Sequence, residues 1–190
     1  VTGSFKVRGA TNRLLALSAD ERRGGVVAAS SGNHGVAVAH AGAALGIPVT
    51  VFVPEFVSPV EAAAMKRLRA NVVMFGTDGL DTELEARRAA GKERRAYISP
   101  YNDPTVVAGQ GTIGAELRRQ LDGISTVVVA VGGGGLIGGI AAYLKHLDGR
   151  IRVVGAQPAN SRVMIESVRA GRVVEIPSLP TLSDGTAGGV

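Results

Sequence analysis

Two glycine-rich turns and one early lysine are the parts of this sequence that could carry chemistry. The turns lie in the runs Val26–Gly35 and Val127–Leu136, and each run reads as a strand, a tight turn and a helix start. Such turns point backbone N–H groups at a place where an anion can bind. Lys6 lies upstream of both turns, in Thr-Gly-Ser-Phe-Lys-Val-Arg-Gly-Ala. An amine together with an anion cradle is what an aldehyde cofactor that carries a phosphate needs.

The second turn contains four consecutive glycines, Gly132 to Gly135. Glycine lets the backbone approach a ligand closely, so we interpret this turn as a phosphate cradle. The alternatives are a tight structural corner and a dinucleotide site, since Gly133, Gly135 and Gly138 match G-x-G-x-x-G. The dinucleotide site would need an acid at the end of the next strand, where Gln157 stands instead.

The first turn offers an unusual density of polar groups, from Ser30, Ser31, Asn33 and His34. Any one of the serines or the asparagine could simply cap the following helix. Four polar side chains in five positions exceed what capping needs, and they favour recognition of a carboxylate or a phenol. For His34 taken alone, a structural role is the more typical one, and we do not assign it as a base.

Lys6 is flanked by Phe5 and Val7. Most lysines lie on the surface, and by itself this pattern is weak. A lysine that is partly desolvated in an apolar site loses proton affinity and becomes a nucleophile.

Other chemistries find little support in the sequence. There is no cysteine, which excludes disulfides and thiolate catalysis. The three histidines are dispersed and no metal-ligand spacing appears, so we predict no metal site. Ser31 lacks the G-x-S-x-G context of a hydrolase nucleophile.

Bulk composition predicts a globular protein. Apolar residues make up 45% and charged residues 19% of 190 residues. The net charge of +5 comes from scattered basic residues beside acids, which favours solvated helix faces over nucleic-acid binding. No apolar run is long enough to span a membrane, and we expect a cytoplasmic location. Because the chain starts at Val1 and ends without a closing helix, we also expect an internal fragment of a longer protein.

Strand and helix patterns alternate along the chain, which predicts an α/β fold with a mostly parallel sheet flanked by helices. Both glycine-rich turns would then lie at the carboxyl ends of strands. The predicted strands are Val26–Ala29, Val49–Val53, Val72–Phe75, Arg95–Ile98, Val127–Val131 and Arg152–Ala156. The predicted helices are Gly9–Leu17, Asn33–Leu45, Pro59–Leu68, Leu80–Ala90, Val106–Leu121, Leu136–Leu147 and Ser161–Ala170.

Taken together, these motifs resemble the pyridoxal-phosphate-dependent threonine/serine dehydratases and serine racemases, which have the tryptophan-synthase-β-like fold. The resemblance spans essentially the whole chain. The segments that carry it are Thr2–Ala10, Ser30–Gly35, Ala108–Thr112, Val131–Leu136 and, more weakly, Ser183–Gly185.

The resemblance implies a role for each candidate residue. Lys6 binds the aldehyde of pyridoxal 5'-phosphate covalently and then transfers protons. Asn33 binds the ring hydroxyl, while Ser30, Asn33 and His34 receive the substrate carboxylate. Ser31 stands where racemases place an acid/base on the opposite ring face. The phosphate is held by Gly132, Gly133, Gly134, Gly135 and Leu136, and Gly185 passes near the cofactor's edge.

The same resemblance implies a fold-type-II enzyme with two lobes, a small one over 25–102 and a large one over 1–24 plus 103–190. The implied reaction is β-elimination from L-threonine or L-serine, giving a 2-oxo acid and ammonia. Amino-acid racemisation and a non-catalytic nucleotide- or cofactor-binding module are the alternatives. The implied partners are a small amino acid and further copies of the chain, as a homodimer or homotetramer. Gln157 stands where metal-activated members place a glutamate, and the usual partner of the pyridine nitrogen lies beyond Val190.

Overall fold

The chain folds into two compact units, one ending at Gly109 and the other starting at Gln110. The structure is a computed structural model and describes residues 2–189. Within these residues, every helix is too short or too polar to cross a membrane.

The first unit alternates helices and strands. Its elements are α1 (Lys6–Leu15), α2 (Ala19–Gly24), β1 (Val26–Ala29), α3 (Asn33–Leu45), β2 (Val49–Val53), α4 (Pro59–Arg67), β3 (Asn71–Met74), α5 (Gly79–Glu93), β4 (Ala96–Tyr97) and the start of α6 (Pro104–Gln120).

The strands of this unit form a parallel sheet with the order β3-β2-β1-β4. Alternate residues of β1 and β2 face opposite sides, because side chains along a strand point to alternate faces. Val26, Ala28 and Val51 belong to a large core that also contains residues of α1, α3 and α4. Val27 and Phe52 belong to a smaller core with alanines of α5. Helices therefore cover both faces, as parallel sheets require.

The second unit is built on a two-stranded parallel sheet. Its elements after α6 are β5 (Thr126–Ala130), α7 (Gly135–Leu147), β6 (Arg152–Ala156), α8 (Val163–Ala170) and a short 3-10 helix (Asp184–Thr186). The strands pair in register from Thr126 with Arg152 to Ala130 with Ala156. The core joins β5 and α7 through Val129, Ile140 and Leu144. The glycine turn thus leaves a strand and enters a helix whose inner face is buried.

The predicted α/β class with parallel sheets and flanking helices is confirmed. Most element bounds agree within about two residues, but α1 starts at Lys6 instead of Gly9. Helix α2 was not predicted, although Ser18 and Glu21 form a capping box that marks its start. The division into lobes 25–102 and 1–24 plus 103–190 stays a prediction.

Candidate active site

Lys6 is the first residue of α1, and its side chain turns inward. Its Nζ donates a hydrogen bond of 3.3 Å to the carbonyl oxygen of Pro100 and lies 5.3 Å from the centre of the Phe5 ring. Burial lowers the pKa of the Lys6 amine, because an ammonium group loses hydration there. A larger share of this amine is therefore neutral near pH 7 than is usual for lysine, and the neutral form is the one that can act as a nucleophile or accept a proton.

Contacts with the start of α6 hold α1 in place. Arg13 Nε lies 2.9 Å from Asp103 Oδ2, and both side chains are mostly buried. Asp103 Oδ1 also accepts a hydrogen bond of 2.7 Å from the backbone N–H of Thr105, which caps α6. A Cβ on Gly109 would lie only 2.6 Å from the Cα of Gly9, so the two helices approach backbone to backbone. The helix that carries Lys6 is therefore held in place by its contacts with the start of α6.

The polar turn Ser30–Gly35 connects β1 to α3. The backbone N–H of Ser30 donates to Phe52 in β2, and Ser30 Oγ accepts from the N–H of Gly32 at 3.1 Å. Asn33 starts α3, and the side chains of Ser31 and Asn33 are exposed. The first N–H groups of α3 have no carbonyl partner within the helix. They are therefore available to an anionic group such as a substrate carboxylate.

His34 is buried and makes a structural contact. Its Nε2–H donates a hydrogen bond of 2.8 Å to the carbonyl oxygen of Ile98. Burial lowers the pKa of this imidazole to about 4, so the ring is neutral at pH 7. Within residues 2–189 its Nδ1 has no partner, and a neutral ring with Nε2–H offers only a lone pair there. The His34 ring therefore has no N–H left for a carboxylate, and only its backbone N–H fits that role.

The quadruple glycine has the geometry of an anion cradle. Gly134 caps α7 with a φ of +84°, a conformation that costs other residues free energy. A Cβ on Gly132 would lie 3.3 Å from the Cα of Thr186. The N–H groups of Gly135, Leu136 and Ile137 have no carbonyl partner within α7. Backbone donors and the positive end of the helix dipole therefore converge at this turn.

The end of the chain returns to the same turn. Thr186 lies against Gly132, and the backbone N–H of Gly188 donates to Ser161 Oγ at 3.1 Å. Gly185, which the sequence singled out, therefore lies one residue from a contact with the glycine cradle. The sequence linked these two segments only through the family resemblance.

Gln157, at the end of β6, has a structural contact of its own. Its Oε1 accepts a hydrogen bond of 2.9 Å from the backbone N–H of Ile165, near the start of α8. In the described part of the chain there is no group of three or more His, Cys, Asp or Glu residues that could hold a metal ion.

Sequence reasoning missed two contributors to the site. Pro100 supplies the carbonyl oxygen that accepts from Lys6, and Glu61 places a carboxylate oxygen beside Gly32. Neither residue has a local motif, because its contact depends on how distant segments pack. Asp103 could have been recognised as a helix cap from the sequence Asp-Pro-Thr.

Comparison with known proteins decides which family this site belongs to. A family model described as pyridoxal-phosphate dependent enzyme matches residues 1–190. The chain belongs to this family. The resemblance that the motifs indicated is thereby confirmed, and the cofactor of the family is pyridoxal 5'-phosphate.

Relatives of this chain include an ammonia-lyase, a deaminase and a racemase. An L-threonine ammonia-lyase of Thermotoga maritima is 42% identical over 98% of this chain and 46% of its own length. The solved structure of threonine deaminase isoform 2 from Solanum lycopersicum has a TM-score of 0.93 at 36% identity, over 98% of this chain and 54% of that one. Maize serine racemase has a TM-score of 0.94 at 32% identity, over 99% and 57%. The chain therefore spans about half the length of these relatives.

The residues present fit the cofactor. Lys6 provides a buried amine whose lowered pKa suits reaction with an aldehyde. The turn Gly132–Gly135 provides unpaired N–H groups and leaves little space for a side chain at Gly132, which suits a phosphate. The amine of the first unit and the glycine turn of the second unit are therefore each consistent with the cofactor of the family.

Proposed function

We propose that the full-length protein converts L-threonine or L-serine to the corresponding 2-oxo acid and ammonia by pyridoxal-phosphate-dependent β-elimination. The observation that carries the proposal is the partly buried Lys6 amine, which donates to the carbonyl oxygen of Pro100 and has a lowered pKa, at the position that the family motif marks. The names of the relatives, L-threonine ammonia-lyase and threonine deaminase, support the reaction and the substrate class. Water leaves in the elimination and is regained in hydrolysis of the product, so the net change is loss of ammonia.

Lys6 has two tasks in this proposal. Its amine holds the cofactor through the aldehyde carbon, and after the substrate amine displaces it, it removes the α-proton of the substrate. A neutral amine is needed for both tasks, and burial favours the neutral form because it lowers the pKa of Lys6. When bound, pyridoxal phosphate supplies the electron sink for the negative charge that develops on the α-carbon.

The remaining residues orient the two ligands. We assign the substrate carboxylate to Ser30, to Asn33 and to the backbone N–H of His34, and we assign the ring hydroxyl to the Asn33 side chain. The phosphate is assigned to the N–H groups from Gly132 to Leu136, with Gly185 near the cofactor's edge. The unpaired N–H groups at the starts of α3 and α7 support these assignments.

Racemisation is the second candidate, and Ser31 is the observation that favours it. The Ser31 side chain is exposed in the turn that precedes α3, where it is free to act as a second acid/base. The similarity to maize serine racemase supports this alternative. The Ser31→Ala variant separates the two, because racemisation needs proton transfer on both faces of the α-carbon, whereas elimination needs removal of the α-proton on the Lys6 face only.

The test is product analysis with the purified full-length protein. Incubation with L-threonine or L-serine should yield a 2-oxo acid and ammonia, and Lys6→Ala should form both products about 10²–10⁴-fold more slowly. Conversion of L-serine to D-serine without 2-oxo acid would favour the racemase. Binding of a nucleotide with no visible absorbance from a lysine-bound aldehyde would favour the non-catalytic binding module.

We further propose a cytoplasmic homodimer or homotetramer that binds no nucleic acid. The absence of cysteine supports the location, and the scattered basic residues argue against nucleic-acid binding. The oligomeric state rests on the resemblance to the family. Light scattering on the purified full-length protein measures the oligomeric state, and a monomer would contradict the proposal.

A further inference from the structure

One face of helix α4 packs against the first turn of α3. A Cβ on Gly35 would lie 2.8 Å from Met65 Cε, and a Cβ on Gly32 would lie 2.8 Å from Glu61 Oε1. Glu61 and Met65 are four residues apart, so they project from the same face of α4. Met65 is fully buried and anchors the helix. The Glu61 carboxylate is therefore held beside the turn Ser30–Gly35, which is the proposed binding site of the substrate carboxylate.

The Glu61 carboxylate is not neutralised by the protein. Its side chain is half-buried, and within residues 2–189 it has no ion pair and no hydrogen bond. By contrast, Glu83, Glu85 and Glu166 each pair with an arginine on their own helix. An unpaired negative charge at this place acts on whatever binds in the turn, because screening is weaker for a partly buried group.

We propose that Glu61 determines the charge of the substrate, by disfavouring amino acids that carry a second carboxylate. This proposal rests on the proposed function. The N–H groups and the helix dipole at the start of α3 compensate the one α-carboxylate that every amino acid carries. A second negative charge on the substrate side chain has no such compensation and is repelled by Glu61. Neutral side chains, as in serine and threonine, avoid this repulsion.

Binding of L-serine and L-aspartate to the full-length, cofactor-loaded protein tests the proposal. Both dissociation constants are measured from the change in cofactor absorbance on titration, for wild type, Glu61→Gln and Glu61→Lys. We expect Glu61→Gln to bind L-aspartate about tenfold more tightly, the effect of removing one like charge several ångströms away in partly screened surroundings. L-Serine binding should change much less, and Glu61→Lys should increase the difference. Glu55→Gln is the matched control, since Glu55 is exposed in the segment before α4 and its replacement changes the net charge equally.

The possible outcomes distinguish failure of the role of Glu61 from failure of the proposed function. An unchanged ratio of the two dissociation constants in both Glu61 variants would overturn the role of Glu61, while turnover of L-serine would leave the proposed function intact. A wild-type protein that neither binds nor converts L-serine or L-threonine would overturn the proposed function itself. Loss of L-serine binding in Glu61→Gln together with a lower melting temperature would also overturn the role in specificity, because it would assign Glu61 to the stability of the turn.

Discussion

The amine of Lys6 and the carbonyl oxygen of Pro100 are joined by a hydrogen bond of 3.3 Å although the two residues lie 94 positions apart. Two residues before Pro100, the carbonyl oxygen of Ile98 accepts from His34. The segment 98–100 thus accepts one hydrogen bond from a side chain of α1 and one from a side chain of α3. It lies at the carboxyl end of β1 because β4 pairs with β1 and the N–H of Ile98 donates to Val27. The position of the Lys6 amine therefore depends on the order of strands in the sheet.

Lys6 should be the residue that carries the cofactor. Borohydride reduction of the cofactor-loaded protein, followed by digestion and mass spectrometry, should find the pyridoxyl group on Lys6. In Lys6→Ala the adduct should be absent. The elimination rate should fall about 10²–10⁴-fold, which is the usual contribution of a proton-transfer group. Lys66→Ala is the control, since Lys66 is exposed on α4. An adduct on Lys66 in the wild-type protein would refute the assignment.

The buried His34 should make stability depend on pH. Its pKa falls from 6.5 to about 4 on folding, so the unfolded chain binds a proton that the folded protein rejects in this range. Stability from the neutral ring is complete above about pH 6.5 and is lost as the pH falls toward 4, by roughly 3 kcal/mol in total.

The His34→Gln variant measures this contribution. Glutamine keeps an N–H donor for Ile98 and carries no charge, so its free energy of unfolding should fall less between pH 7 and pH 4.5 than that of the wild type. Urea denaturation at pH 7 and pH 4.5 gives the free energy of unfolding of each protein at the two pH values. Equal pH dependence in the two proteins would show that His34 is not the titrating group.

Asp103 should link α1 to α6. Asp103→Ala removes the cap of α6 and the hydrogen-bonded ion pair with Arg13, so we expect a loss of about 2 kcal/mol in the free energy of unfolding. Asp103→Asn keeps the capping oxygen and removes the charge, and should lose about half as much. Chemical denaturation compares the three proteins. If the asparagine variant is as unstable as the alanine variant, the cap contributes little.

Gly134 should matter for cofactor retention as well as for stability. Gly134→Ala forces a non-glycine residue to a φ of +84°, at a cost of about 1–2 kcal/mol, and places a methyl group beside Met164. The cradle would shift, and the dissociation constant for pyridoxal phosphate should rise.

Gly123→Ala provides the matched control for this experiment. Gly123 has a φ of +67° and no atom near its Cβ position, so it should show a similar loss of stability with no loss of cofactor. Equilibrium dialysis against pyridoxal phosphate and thermal unfolding separate the two effects. Equal cofactor affinity in both variants would contradict the role of the glycine cradle.

Local patterns predicted most of the secondary structure. The strands Val26–Ala29 and Val49–Val53 and the helix Asn33–Leu45 are found with the predicted bounds, since buried apolar runs and a glycine after the helix mark them clearly. The start of α1 was predicted three residues late because Gly9 looks like a helix boundary. Gly9 instead lies inside the helix, where its lack of a side chain allows close contact with Gly109. The packing of the two helices outweighs the low helix propensity of glycine.

The sequence by itself determined the alternation of strands and helices and the two glycine-rich turns. These features depend on residue types over short distances, where hydrophobic periodicity and backbone freedom act directly. Only the tertiary structure decided that the Lys6 amine donates a hydrogen bond to Pro100 and that the His34 ring donates one to Ile98. It also decided that Glu61 lies beside Gly32. Those contacts depend on which strands become neighbours and how helices cross, and no local pattern along the chain encodes that choice.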